Sequence, residues 1–167
     1  VIVEVCVDSL ESALDAANHG ADRLELCSRL DVGGLTPSLQ LYQAVRAAVH
    51  VPIAVMIRLS PGHFCLTDSD VEQLCEVIET FRNDSLAAFV FGATLPNGDL
   101  DLLRMKQLRE FCGPVTAVCH RSFDTVSDHR IAIEQLIDLG FGRVLTSGGP
   151  GKVPEHLPEL TDLIQRA

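Results

Sequence analysis

Two short segments carry the same pair of chemically capable residues at the same spacing, Glu4-Val5-Cys6 and Glu25-Leu26-Cys27. In an extended chain residues i and i+2 share a face, so each carboxylate points the same way as its thiol. A carboxylate inside a sheet is costly unless it is paired or hydrogen-bonded. Two of them, each two residues before a thiol, are hard to explain by packing alone. Cations stand at comparable places: Arg58, then His120-Arg121, with Asp124 just beyond. Carboxylates, arginines and an imidazole are the groups of anion binding and proton transfer. The bland alternatives stay open. Glu4 and Glu25 could form internal ion pairs with Arg58 or Arg121 that only set strand register. Cys6 and Cys27 could be small buried hydrophobes, and His120 a satisfied core histidine.

The segments around these residues alternate regularly. Apolar, β-branched runs at 2–7, 23–27, 52–57, 87–91, 114–120 and 143–146 read as strands. Between and after them, helical spacing is expected from Ser9 to His19, from Thr36-Pro37 to about Val49, from Thr67 or Asp68 to Arg82, from Asp101 to Phe111, from Ser127 to Leu139 and from Pro154 to Gln165. Asp8 or Ser9 is the expected N-cap of the first helix and Gly20 its C-cap. Six β-α units in strict alternation predict an α/β fold with a parallel sheet. In such folds the C-terminal strand ends hold the active site, and Glu4, Cys6, Glu25, Cys27, Arg58 and His120 all fall there. An open doubly wound sheet and a barrel compete. The mean unit of about 28 residues, which repeated eight times gives about 224, favours a TIM-type (β/α)8 barrel, here incomplete. No dinucleotide fingerprint follows the first strand, and no Walker-type loop is present. Gly148-Gly149-Pro150-Gly151 looks like a phosphate loop, but glycine-rich turns before helices are common.

Composition excludes several classes. The chain has 167 residues, 47% of them hydrophobic, which argues against wholesale disorder and fits one domain over 1–167. Lys and Arg number 13 against 23 Asp and Glu, a net charge of −10, so nucleic acid and anionic membranes are not expected as partners. No uncharged apolar stretch reaches 18 residues, so no membrane-spanning helix is expected. No signal peptide is expected either, because Val1–Val7 contains Glu4 and lacks a basic leader. Six cysteines without a C-x-x-C pair read as reduced thiols of a cytoplasmic protein, with the nucleus as a second compartment. Cys75, Cys112 and Met56 are expected to be structural, and His63 and Cys65 to lie at the surface.

Glu-Val-Cys-Val-Asp-Ser at 4–9, Gly-Ala-Asp-Arg-Leu-Glu-Leu-Cys-Ser at 20–28 and Gly-Gly-Leu-Thr-Pro-Ser at 33–38 resemble the CutC copper homeostasis family. So do Val-Met-Ile-Arg at 55–58, Cys-His-Arg-Ser-Phe-Asp at 119–124 and Arg-Val-Leu-Thr-Ser-Gly at 143–148. The first two segments are most similar to animal members. The resemblance implies a (β/α)8 barrel and a role in copper handling, with Cys6 and Cys27 as Cu(I) ligands. Soft Cu(I) prefers thiolate, which agrees. It also implies a polar mouth of enzyme type built from Glu4, Glu25, Arg58, His120, Arg121 and Asp124. The family's Ile-Arg-Pro-Arg-Gly-Gly-Asp-Phe stretch reads here Ile57-Arg58-Leu59-Ser60-Pro61-Gly62-His63-Phe64, so Ser60 stands for the second Arg and His63 for the Asp. Cys119 stands where the family has Phe before the His. The chain ends after the sixth unit, before family strands seven and eight.

Three functions are therefore expected in competition. The first is a copper homeostasis protein binding Cu(I) through Cys6 and Cys27. The second is a barrel enzyme on a small anionic metabolite, positioned by Arg58 and Arg121, with His120 and Glu4 or Glu25 moving protons. The third is a truncated structural or inactive member. Bare strand edges invite association, so a homo-oligomer is expected.

Overall fold

The structure is a computed structural model that describes residues 1–82 and 86–167. It bears out the alternation in all six units. The strands are β1 (Glu4–Val7), β2 (Arg23–Leu26), β3 (Ile53–Met56), β4 (Leu86–Phe91), β5 (Thr116–Cys119) and β6 (Arg143–Val144). The helices are α1 (Leu10–Asn18), α2 (Leu39–Ala48), α3 (Asp68–Phe81), α4 (Leu102–Phe111), α5 (His129–Asp138) and α6 (Leu157–Arg166). Strand order equals sequence order, β1-β2-β3-β4-β5-β6. The pairs β1–β2, β2–β3, β3–β4 and β5–β6 are all parallel. Parallel β-α units in sequence order build the (β/α)8 barrel; the chain is an α/β protein with an incomplete TIM-type barrel of six β-α units.

Two compact units divide the chain. One comprises Val1–Gly62 with Gln73–Val90, the other His63–Glu72 with Phe91–Ala167. In the first, Leu24, Leu26, Ile53, Val55 and Phe89 are fully buried strand residues. Tyr42 of α2 meets Phe81 of α3 edge to face, ring centroids 5.5 Å apart. In the second, Met105, Leu108, Phe123 and Leu136 fill the core, and Phe91 packs on Phe141 at 5.2 Å. Burial of β2 to β5 on both faces explains their continuous apolar runs.

Helix starts follow local chemistry. Ser9 caps α1: its Oγ accepts from the Ser12 N–H at 3.1 Å, and Ser12 Oγ accepts from the Ser9 N–H. Two starts differ from expectation. The second helix begins at Leu39 behind a Ser38 cap rather than at Thr36-Pro37, because Thr36 is spent elsewhere: its N–H donates to Arg58 O and its Oγ1 accepts from Arg58 N–H. The sixth helix begins at Leu157, and Pro154 lies in a separate 3-10 turn over Val153–Glu155. The sixth strand is also shorter than 143–146, since Thr146 turns away to donate to Asp124. The short 3-10 turns at Leu30–Val32 and Arg121–Thr125 were not expected from the sequence.

Candidate functional site

In the first unit, β1 and β2 pair with a stagger of two residues relative to their shared motif. Glu4 stands opposite Arg23, and Cys6 opposite Glu25. The carboxylate of the second motif therefore lies beside the thiol of the first. Glu4 finds its cation one strand away, accepting from Arg23 Nε, so the register-setting ion pair uses Arg23, a residue the motif reading passed over. The Cys6 thiol donates to Glu25 Oε1 at 3.4 Å, and the Cys27 thiol reaches the same oxygen at 3.8 Å. Glu25 is only 2% exposed, Cys27 is buried, and Cys6 keeps an exposed face. Burial of the sulfur, reinforced by the Glu25 charge, pushes the Cys6 thiol up to about 12. The same two causes, in the same order, push Cys27 up further. Both groups are thiols near neutral pH.

Arg58 lies just past β3 and works on a loop of its own unit. Nη1 donates to the Val32 and Gly34 carbonyls and Nη2 to the Gly62 carbonyl, each at 3.2 Å. Burial lowers its pKa from the usual guanidinium value. The loop it holds passes through Gly33 and Gly34, both with φ near +85°, the left-handed region that favours glycine. Gly34 lies against the Cys27 sulfur: a β-carbon there would stand 3.1 Å from Sγ.

The second unit holds His120, Arg121 and Asp124 together. The buried His120 Nδ1 accepts from the Ser122 N–H at 3.2 Å and lies 3.1 Å from Ser122 Oγ. A ring that accepts at Nδ1 carries its proton on Nε2 when neutral. Phe64 packs on the imidazole with centroids 4.9 Å apart. Asp124, also buried, is a hub. It accepts from Arg121 Nε at 2.9 Å, from the Ser147 N–H at 3.0 Å, and from the Thr146 hydroxyl. Arg121 Nη2 adds Ser147 Oγ at 2.9 Å and Gly151 O at 3.2 Å. Cys119 is buried, its thiol pushed up to about 12 by that burial. Ser122, Thr146 and Ser147 were not singled out from the sequence. Only Thr-Ser-Gly after a strand carries a local signal, as turn chemistry.

The remaining residues fall as follows. His63 is exposed and Cys65 half-buried; Cys75 is half-buried, Cys112 buried. Among the described residues no group of three or more His, Cys, Asp or Glu could hold a metal ion. What the first unit offers a metal is the thiol pair at Cys6 and Cys27, a soft donor set suited to Cu(I) rather than to harder ions.

The CutC family model matches residues 1–167. This chain belongs to the CutC family. It is 42% identical over 166 residues to the human copper homeostasis protein cutC homolog, covering 99% of this chain. A CutC family protein of Glaesserella parasuis is 39% identical over 165 residues. The crystal structure of CutC from Streptococcus agalactiae superposes with a TM-score of 0.90 at 28% identity, covering 100% of this chain and 83% of that one. Oxaloacetate acetylhydrolase, at TM-score 0.68 and 13% identity, shares the fold alone. The chain spans 61% of the length of the human relative and 68% of the G. parasuis one. Within CutC terms, the doubled Glu-x-Cys and the Cys-His-Arg-Ser-Phe-Asp segment fall in the two clusters described above.

Proposed function

We propose that this CutC chain takes part in copper homeostasis by binding Cu(I) as cargo through Cys6 and Cys27, in the cytoplasm and nucleus. The observation that carries this reading is the convergence of both thiols on one oxygen of Glu25. Two sulfurs on neighbouring strands can supply the low-coordinate, soft site that Cu(I) prefers. Human and mouse relatives carry the name copper homeostasis protein. Cu(I) enters as each thiol gives up its proton, so the site takes up a cation and releases protons. The test is protection mapping. Cysteines are alkylated with and without one equivalent of Cu(I) under anaerobic conditions, and labelled positions are read by mass spectrometry. Cu(I) should protect the exposed Cys6 and leave the half-buried Cys65 and Cys75 labelled; equal labelling of Cys6 in both samples overturns the reading.

A second reading, an enzyme or binder for a small anionic metabolite, is favoured by Arg121. Its side chain is 53% exposed, and its Nη1 has no hydrogen-bond partner among the described residues while Nε and Nη2 are fixed. A guanidinium held that way presents one edge to an anion. Small carboxylates and phosphates should raise the melting temperature, and Arg121→Gln should abolish the rise. No rise with any of them removes this reading.

A further inference from the structure

We propose that residues 29–34 form a lid over Cys27, latched by Arg58, and that the lid must open before the Cys27 thiol can react. The inference goes beyond the copper reading and sets a condition on it, since that reading needs both thiols to be reachable and only Cys6 is exposed. Cys27 is 1% exposed. Part of its cover is backbone. Gly34 lies directly on the sulfur: a β-carbon there would stand 3.1 Å from Cys27 Sγ and 3.5 Å from Met56 Cε. While the loop is closed, that side of the sulfur has no room for a ligand.

The loop is built as a moving part. Its base is a pair of backbone hydrogen bonds between Ser28 and Leu35, each at 2.7 Å. Inside it, the Val32 and Gly34 N–H groups both donate to Arg29 O and the Gly33 N–H donates to Leu30 O, each at 3.1 Å, so it swings as one piece on that base. Its 3-10 turn, Leu30–Val32, contributes no residue to the core, and segments with few buried apolar contacts open first. Arg29 holds a left-handed backbone, φ 51°, which is unfavourable for a residue with a side chain. Arg58 supplies what keeps the loop shut. Its Nη1 donates to the Val32 and Gly34 carbonyls, and its Nη2 is anchored on the Gly62 carbonyl. Bonds from a charged donor are the strong ones. Thr36, just past the base, is tied to the Arg58 backbone through its own N–H and Oγ1, so one residue steadies the hinge and closes the latch.

The test needs no metal. The reduced chain and the variants Arg58→Met and Gly34→Ala are alkylated with iodoacetamide at pH 8, and the rate at each cysteine is followed by mass spectrometry. Arg58→Met keeps the side-chain stem and removes the latch. Gly34→Ala keeps the latch and sets a methyl against the sulfur at a left-handed position, which opposes closure. In both, Cys27 should label about tenfold faster or more, as the loss of bonds to a charged group predicts. The buried Cys112 and Cys119 should stay unlabelled. An unchanged Cys27 rate in either variant overturns the lid. Equal acceleration at Cys112 and Cys119 overturns it too, since the whole fold would then have loosened. The copper reading fails separately: a gated Cys27 in a chain that holds no Cu(I) removes that reading and leaves the lid.

Discussion

Metal binds cysteine as thiolate, and at Cys6 and Cys27 burial and the Glu25 carboxylate oppose that ionisation. With Cys6 near 12 and Cys27 higher, both sulfurs are protonated throughout the physiological range, and Cu(I) must displace two protons. Apparent affinity therefore rises with pH, by up to about 100-fold per unit while both thiols stay protonated. Chelator competition at pH 6, 7 and 8 measures it; an affinity flat across that range contradicts the cause. At Asp124 the expected effect is on stability. Removing its carboxylate strands the Thr146 hydroxyl and the Ser147 N–H and takes away the partner of Arg121 Nε. Asp124→Ala should cost about 3 kcal/mol in denaturant unfolding; a loss under 1 kcal/mol would show that the loop holds itself.

Elements decide which of these residues meet. The Glu-x-Cys pairs were visible in sequence, and so was the strand that carries each. What could not be read was the stagger, because pairing is set by where each strand enters the sheet, not by the motif. It placed Glu4 against Arg23 and left Glu25 to both thiols. The 3-10 turn at Arg121–Thr125 was equally hidden, since the His120 ring caps it through the Ser122 N–H, a contact propensity does not encode. Gly92, just past β4, leaves room for that cap: a β-carbon there would stand 2.2 Å from Ser122 Oγ and 2.9 Å from His120 Nδ1. Gly92→Ala should cost about 1–3 kcal/mol by overpacking and shift the His120 ring resonances. An unchanged ring spectrum would mean that the pair is not held there.

At the scale of the whole molecule, alternation alone was enough to read six β-α units, because strands buried on both faces leave unbroken apolar runs. That the units are those of a barrel rested on their length and on resemblance, and the match to CutC of S. agalactiae supplies it. One surface bears on the expected homo-oligomer. On α6, Leu157 and Ile164 are exposed, Ile164 at 75%, and apolar exposure on a helix face favours association. Sedimentation should detect a dimer that Ile164→Lys weakens; a monomer at every concentration would contradict this.

Whether Cys6 and Cys27 together hold Cu(I) is read from competition against a Cu(I) chelator. The reduced chain and its Cys6→Ser/Cys27→Ser double variant are titrated in parallel without oxygen. One tightly held equivalent is expected in the first and none in the second. Equal retention by both would contradict it.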